Sequence, residues 1–395
     1  MKRFIEKIIQ GMLTVSGFVT SIVILLIVLF LFTEGAGLFS KPKVEDGYEI
    51  VLNKKNDINT LSAEQIKDMF DGKITNWNEV GGKNQDIVLF RLNDITNYFA
   101  EEELGEQLEH VPAKISELIS QHEEIIGFIP QEYIKNDFAG KRLDMGNIKF
   151  KDVFFRKEWI PTATPISFFG ILPLITGTLW VSLVAILIAL PFGVAAAIYL
   201  AEIANHKIRD ILKPVIELLS GIPSVVYGFF GLIVIVPLVQ NIFHLPVGET
   251  GLTGSIVLAI MALPTIITVS EDAMRNCPRS MREASLALGG SKWQTIFKIV
   301  IPYSASGITS AIVLGIGRAV GETMAVLMVT GNSAIIATGI LQPLRTIPAT
   351  IAAELGEAPD GGVHYQALFL LGIILFLITQ IINSSVEYVS AKNKL

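Results

Sequence analysis

Six stretches of the chain, at 8–33, 171–200, 215–243, 253–269, 304–329 and 365–386, are strongly apolar runs. Crossing roughly 30 Å of hydrocarbon takes about 20 helical residues, so each predicts a membrane span. The polar intervals between them are unequal in charge. Lys2, Arg3 and Lys7 precede the first stretch, and Lys207, Arg209 and Lys213 join the second to the third. Arg275, Arg279, Arg282, Lys292 and Lys298 join the fourth to the fifth, and Lys392 and Lys394 follow the last. The link over 243–252 has neither Lys nor Arg, and the link after the fifth has only Arg345. The bias of Lys and Arg toward the inner side then predicts six spans in the cell membrane with both termini cytoplasmic. The first stretch has the basic start of a signal peptide, and Gly35-Ala36-Gly37 imitates a cleavage site. Its apolar run far exceeds the 7–15 residues such a peptide uses, so it reads as a retained anchor.

The interval 34–165 is too long for a simple loop. Ser62-Ala63-Glu64-Gln65 has the form of a helix start, with Ile66, Met69 and Phe70 giving an apolar face. Asp71-Gly72-Lys73 turns, and Ile87–Phe90 reads as a buried strand. A second helix is predicted over 113–120 and a second strand within 125–133. The interval is therefore expected to be a small extracellular α/β body.

Composition agrees. Of 395 residues, 51% are hydrophobic and 17% charged, with a mean hydropathy of +0.54. That describes a polytopic membrane protein, not a soluble enzyme. The net charge of −6 is uneven: residues 34–158 hold 24 acidic and 16 basic residues, and the remainder 13 and 15. The acidity belongs to the inserted body, which argues against nucleic-acid binding. Cys277 is the single cysteine, so no disulfide forms within one chain. Two weak motifs fail. His122-Glu123 lacks the second His of a zinc-protease helix, and Asp71-Gly72-Lys73-Ile74 lacks the upstream Gly and the Ser/Thr of a P-loop. No metal or cofactor is expected, and no ATP hydrolysis by this chain.

The link between the fourth and fifth spans carries the most specific pattern. Glu283-Ala284-Ser285-Leu286-Ala287-Leu288-Gly289 is followed by Lys292-Trp293 and closed by Ile299-Val300-Ile301-Pro302. It resembles the EAA loop by which ABC importer permeases dock on their ATP-binding subunits. Ser285 stands for the usual second Ala and Ile301 for the usual Leu. The resemblance implies ATPase coupling through Glu283, Ala284, Gly289, Lys292 and Trp293.

Arg318 and Glu322 lie in an apolar stretch, where each charge costs about 2.5–3.5 kcal/mol at a helix centre. An i, i+4 spacing would place them on one helix face, able to pair. Gly315, Gly317 and Gly321 would thin that helix for a close neighbour. An arginine suits an oxyanion because its planar fork donates paired, charge-assisted hydrogen bonds. Charge placement alone leaves an oxyanion pathway and a packing ion pair equally open.

Three further segments extend the resemblance: the run from Gly317-Arg318 to Met328-Val329, the run from Lys213-Pro214 to Tyr227-Gly228, and Ala353-Glu354-Leu355-Gly356-Glu357-Ala358. Together they resemble the PstC-type permeases of phosphate-specific ABC importers, over roughly 166–383. The resemblance implies a type I importer fold and a role for Arg318 and Glu322 in phosphate passage. It also implies, as partners, a homologous PstA-type permease, two copies of a PstB-type ATP-binding subunit and a PstS-type extracellular phosphate-binding protein. The expected domains are an anchor at 1–33, an insertion at 34–165 and a five-helix core at 166–395 with its coupling loop at 271–303. Leu61–Trp77 and Ile125–Pro130 are similar to segments of phosphate-binding proteins themselves. Those receptors have a glycine-rich turn after a strand ending in Arg; here the chain reads Arg91-Leu92-Asn93-Asp94-Ile95-Thr96, with no glycine and an acid that repels anions. A degenerate insertion is expected, docking the receptor or bracing a gate. The alternatives are a permease for molybdate, tungstate or sulfate, and a membrane-anchored sensor of phosphate status.

Overall fold

The computed structural model describes residues 2–105 and 107–392. The chain divides into two compact units. One comprises Met1–Gly35, Ile171–Ala358 and Leu368–Leu395; the other comprises Ala36–Gly170 and Pro359–Ala367. Lys394, one of the basic residues used for orientation, lies outside the described residues.

Helix α1 runs over Lys2–Gly37 and exposes a nearly unbroken apolar surface, including Leu13, Phe18 and Leu25. At 1.5 Å per residue it is more than long enough to cross hydrocarbon.

The inserted unit is built on a four-stranded sheet of β1 (Tyr48–Leu52), β2 (Val88–Arg91), β3 (Ile125–Pro130) and β4 (Lys141–Arg142), in the order β2-β3-β1-β4. Strands β2 and β3 are parallel, and β1 runs antiparallel to both β3 and β4. Helices α2 (Ala63–Phe70), α3 (Glu101–Leu104), α4 (Val111–Gln121) and α5 (Phe150–Phe154) complete it, with the short ribbon of β5 (Trp159–Ile160) and β6 (Phe168–Phe169). Alternate residues feed two cores. Ile50, Leu52, Ile126 and Phe128 pack with Ile66, Met69 and Trp77, while Val51, Ile125 and Ile129 pack with Phe90, Ile115 and Ile119. Strand β3 is thus covered on both faces, which is why Ile125-Ile126-Gly127-Phe128-Ile129 shows no polar alternation. The predicted start of α2 is a complete capping box: Gln65 N–H donates to Ser62 Oγ at 3.1 Å, and Ser62 N–H to Gln65 Oε1 at 2.8 Å. Trp77 is 2% exposed and its Nε1 donates to the Glu124 carbonyl at 3.0 Å. Trp77→Ala should cost the insertion about 3–5 kcal/mol. Limited proteolysis of the purified protein across a temperature series should then cut within 36–170 at a lower temperature than in wild type.

The remaining helices are α6 (Leu172–Ile198), α7 (His206–Ser220), α8 (Ser224–Phe230), α9 (Val236–Phe243), α10 (Gly251–Arg275), α11 (Arg279–Ala287), α12 (Lys292–Thr295), α13 (Ile301–Gly321), α14 (Met324–Val329), α15 (Ile347–Glu354) and α16 (Val363–Lys392). Among the described residues, six segments are long and apolar enough to span a membrane: Ile9–Ser40, Leu172–Ile203, Ser224–Phe243, Gly251–Arg275, Lys292–Gly321 and Val363–Val386. Helix α10 is the most enclosed, packing against both α6 and α13. The fold is an all-α polytopic membrane body with an α/β insertion.

Two predicted spans are redrawn. The third begins at Ser224 rather than near 215, because α7 is a separate amphipathic helix that stops before Gly221-Ile222-Pro223. Pro223 offers no backbone N–H and disfavours helical backbone at Ile222, which favours a break beside Gly221. The fifth begins at Lys292, earlier than expected, through a π-turn at Ile296–Val300. Pro302 has no N–H to give the Lys298 carbonyl, and the wider turn takes up that defect. Its predicted end at 329 is divided, since α13 stops at Gly321 and α14 starts at Met324.

Candidate functional site

Arg318 lies half-buried on the last turn of α13. Glu322 follows the helix end in extended backbone, with φ −71° and ψ 131°. The expected i, i+4 pairing on one helical face is therefore not realised, because the helix ends one residue before Glu322. Among the described residues neither side chain makes an ion pair. The Glu322 carboxylate instead turns forward, and Oε1 accepts from Ala325 N–H at 3.4 Å, at the start of α14. Gly315 is packed on Ile266 as the thinning argument anticipates, but a side chain at Gly317 or Gly321 would meet open space. Arg318 thus keeps an unneutralised charge beside an open face of its helix.

The link between α10 and α13 is a solvent-facing pair of short helices. Glu283 and Ala284 on α11 are exposed. Gly289 closes α11 at φ +84°, a left-handed conformation that a β-carbon disfavours. The turn is held by Gly289 N–H to the Leu286 carbonyl at 3.0 Å and Gly290 N–H to the Ser285 carbonyl at 3.0 Å. Ser291 caps α12 through Gln294, which places Lys292 and Trp293 in its first turn. The Ser285 hydroxyl lies 2.9 Å from that of Thr295 and ties α11 to α12, so the Ser that replaces the usual Ala has a structural use. Leu288 is 90% exposed and Trp293 58%, leaving an apolar, uncovered crest. Patches of that kind mark interaction surfaces.

Glu271, beside Asp272 near the end of α10, is 1% exposed. Its Oε1 accepts from Arg209 Nε at 3.1 Å and Arg275 Nη1 at 3.5 Å, and its Oε2 from Lys213 Nζ at 2.6 Å. Lys213 also reaches Asp272 Oδ1 at 2.8 Å. Burial works to lower the Lys213 pKa. The hydrogen bonds it donates to Asp272 and Glu271 overcome this and hold the ammonium above its ordinary value. Nearby, Arg282 Nη2 donates to Glu202 Oε1 at 2.7 Å and to the Met274 carbonyl at 2.9 Å.

In the insertion, the turn after β2 is already occupied by its own acid. Asp94 Oδ2 accepts from Arg91 N–H at 2.8 Å, and the Arg91 guanidinium lies over the Phe70 ring at 5.4 Å.

Residues 189–394 match the family described as "Binding-protein-dependent transport system inner membrane component". The chain belongs to that family. Residues 32–171 match a PBP superfamily domain. Similar proteins include a "Probable ABC transporter permease protein YqgH" of Bacillus subtilis, 40% identical over 237 residues, which cover 60% of this chain and 76% of that one. The "Phosphate transport system permease protein PstC" of Mesorhizobium japonicum is 39% identical over 271 residues, 64% of this chain and 81% of that one. Among solved structures, an inward-facing MetNI methionine ABC transporter matches 56% of this chain and 94% of its own, at 18% identity and a TM-score of 0.45.

The resemblance to PstC-type permeases is borne out by these relatives, and this permease is a multi-pass membrane protein whose relatives are transport proteins rather than enzymes. The sequence used Arg282 only to orient the spans, and gave neither Glu202 nor Glu271 an ion-pair partner. A signal was present: Arg209 and Lys213 recur at i, i+4 on a polar-faced helix, and Glu271 and Arg275 do the same. Their convergence needed the third dimension.

Proposed function

We propose that this permease is the transmembrane subunit of an ATP-driven phosphate importer, forming half of the translocation pathway. The observation that carries the reading is its likeness to permeases named for phosphate transport, beside the family match over 189–394, which includes Arg318 and the 279–301 link. In this reading both termini and the Glu283–Trp293 crest face the cytoplasm, where the Lys and Arg bias puts them. The crest docks on a separate ATP-binding subunit, present in two copies. A second, PstA-type permease completes the pathway, and a PstS-type receptor delivers phosphate from outside. The insertion docks that receptor or braces the outer gate rather than holding phosphate, as the internal Asp94 cap supports.

The chemistry follows from the geometry. A half-buried guanidinium without a carboxylate partner attracts a phosphate oxyanion and offers it paired donors. Glu322, anchored to α14, sets where the helix ends and so where Arg318 points. Closure of the ATP-binding pair moves the crest and rocks the spans about the pathway.

The test is reconstitution of the complete complex in vesicles with internal ATP. Labelled phosphate should accumulate only with both ATP and receptor present, and unlabelled molybdate, tungstate or sulfate should compete poorly. Strong competition by one of these would reassign the cargo. ATP-independent signalling with no uptake of any oxyanion would favour the sensor.

A further inference from the structure

The cluster at Glu271 sits at a junction. Residue Arg275 ends α10 just before the docking crest, and Arg282 of α11 is tied back to Glu202 and the Met274 carbonyl. Displacing α11 therefore pulls on the end of α10. On the other side lies α7, which buries none of its own residues; Ile211 is 66% exposed and Leu218 73%. No residue of α7 is fully buried, and three bonds from Arg209 and Lys213 to Glu271 and Asp272 tie it to the end of α10.

Helix α7 also leads somewhere. Across the Gly221-Ile222-Pro223 turn, the Tyr227 hydroxyl of α8 donates to the Leu219 carbonyl of α7 at 2.8 Å. Helix α8 meets α14 backbone to backbone, since a β-carbon at Gly228 would lie 2.9 Å from Ala325 Cα. Ala325 is the residue whose N–H bonds Glu322, four residues from Arg318.

We infer that Glu271 is the positioning residue that joins the docking crest to the pathway. Its carboxylate locks α7 to the end of α10, so that movement of α11 passes through α7 and α8 to α14 and the Glu322 corner. The charge pattern fits a coupling role better than a folding role. A buried carboxylate is costly unless paired, and an apolar packing would serve stability as well or better. The cations keep access to water, with side-chain exposures of 19% for Arg209, 25% for Lys213 and 41% for Arg275, and can hydrate if the carboxylate is neutralised. Glu271→Gln therefore releases the lock without stranding a buried charge.

The inference rests on the importer reading, so wild type is measured first. In vesicles carrying the complete complex, phosphate uptake and ATP hydrolysis are followed together. Glu271→Gln should assemble and keep receptor-stimulated hydrolysis within about threefold of wild type, while phosphate carried per ATP falls about tenfold or more. Glu271→Asp should recover part of the ratio. Arg209→Gln with Lys213→Gln should reproduce the loss, and adding Glu271→Gln should deepen it little, as expected of groups acting through one contact. An unchanged ratio in Glu271→Gln overturns the inference. So does a parallel fall of uptake and hydrolysis that tracks loss of assembled complex. A wild-type complex that takes up no phosphate sinks the importer reading instead. Spin labels at Lys207→Cys and Arg279→Cys, in a Cys277→Ser background, then still decide the lock. Their separation should stay fixed through nucleotide addition in wild type and become nucleotide-dependent in Glu271→Gln; a fixed separation in both would overturn it.

Discussion

Arg318→Ala should abolish phosphate uptake by the reconstituted complex, to about a hundredth of wild type or less, while subunit assembly and receptor-stimulated ATP hydrolysis should persist. The magnitude follows from the donors removed. Hydrogen bonds to a charged group contribute about 1.5–3 kcal/mol each, and about 1.4 kcal/mol is a factor of ten, so losing a paired contact costs about two to four orders of magnitude. Arg318→Lys should fall between, because it keeps the charge and loses the fork. The structure strengthens the expectation in one respect. A packing role for Arg318 drew its force from pairing with Glu322, and α13 ends before that pair can form. Arg318 also neighbours Gly317 and Gly321, which face open space rather than a packed neighbour. Parallel uptake and ATPase assays check the result. Wild-type uptake in Arg318→Ala would remove this residue from the pathway.

Gly289→Val should be the most damaging single change in the docking crest, lowering ATP-driven uptake by about tenfold or more with the membrane body still folded. Gly289 sits at φ +84° with nothing within 4 Å of where a β-carbon would be, so the penalty is conformational rather than a clash within the chain. A β-branched residue held there is strained by about 1–3 kcal/mol. Relief comes from unwinding the turn that fixes Leu286 and Ser285, and with it the angle between α11 and α12. Gly289→Asn should keep most activity, because Asn tolerates the left-handed region. If Val and Asn behave alike, the loss lies in contact with the partner subunit and not in the turn. Uptake and co-purification of the ATP-binding subunit, measured side by side, separate these results.

Much of the membrane body was legible in the chain because hydrocarbon imposes a one-dimensional requirement. A span needs a run of apolar residues of fixed length, and among the described residues each of the six runs overlaps a helix long and apolar enough to cross, although the third and fifth runs are interrupted. Local chemistry was equally readable where neighbours in sequence carry it. The Ser62–Gln65 capping box and the Ser291–Gln294 box involve residues three apart. Strand β1 escaped notice despite its Ile50-Val51-Leu52 run, since five residues alternating between two cores show no period of their own. The ends of spans three and five escaped for a different reason. Apolar composition continues through Pro223 and past Gly321, and hydropathy is blind to a missing N–H or a broken helix.

The sequence by itself determined that this protein spans a membrane six times, carries an α/β insertion after the first span, and presents Glu283–Trp293 as a polar-faced element between two spans. Those features depend on residue type and on spacing along the chain, which burial length and backbone hydrogen bonding convert directly into structure. Only the tertiary structure decided what the charges do. Arg318 and Glu322 are four residues apart yet part company at a helix end, whereas Glu271 and Arg209, separated by 62 positions, share a hydrogen bond. Electrostatic partners are chosen by distance in space, and in a low-dielectric setting that choice depends on packing that no linear pattern encodes.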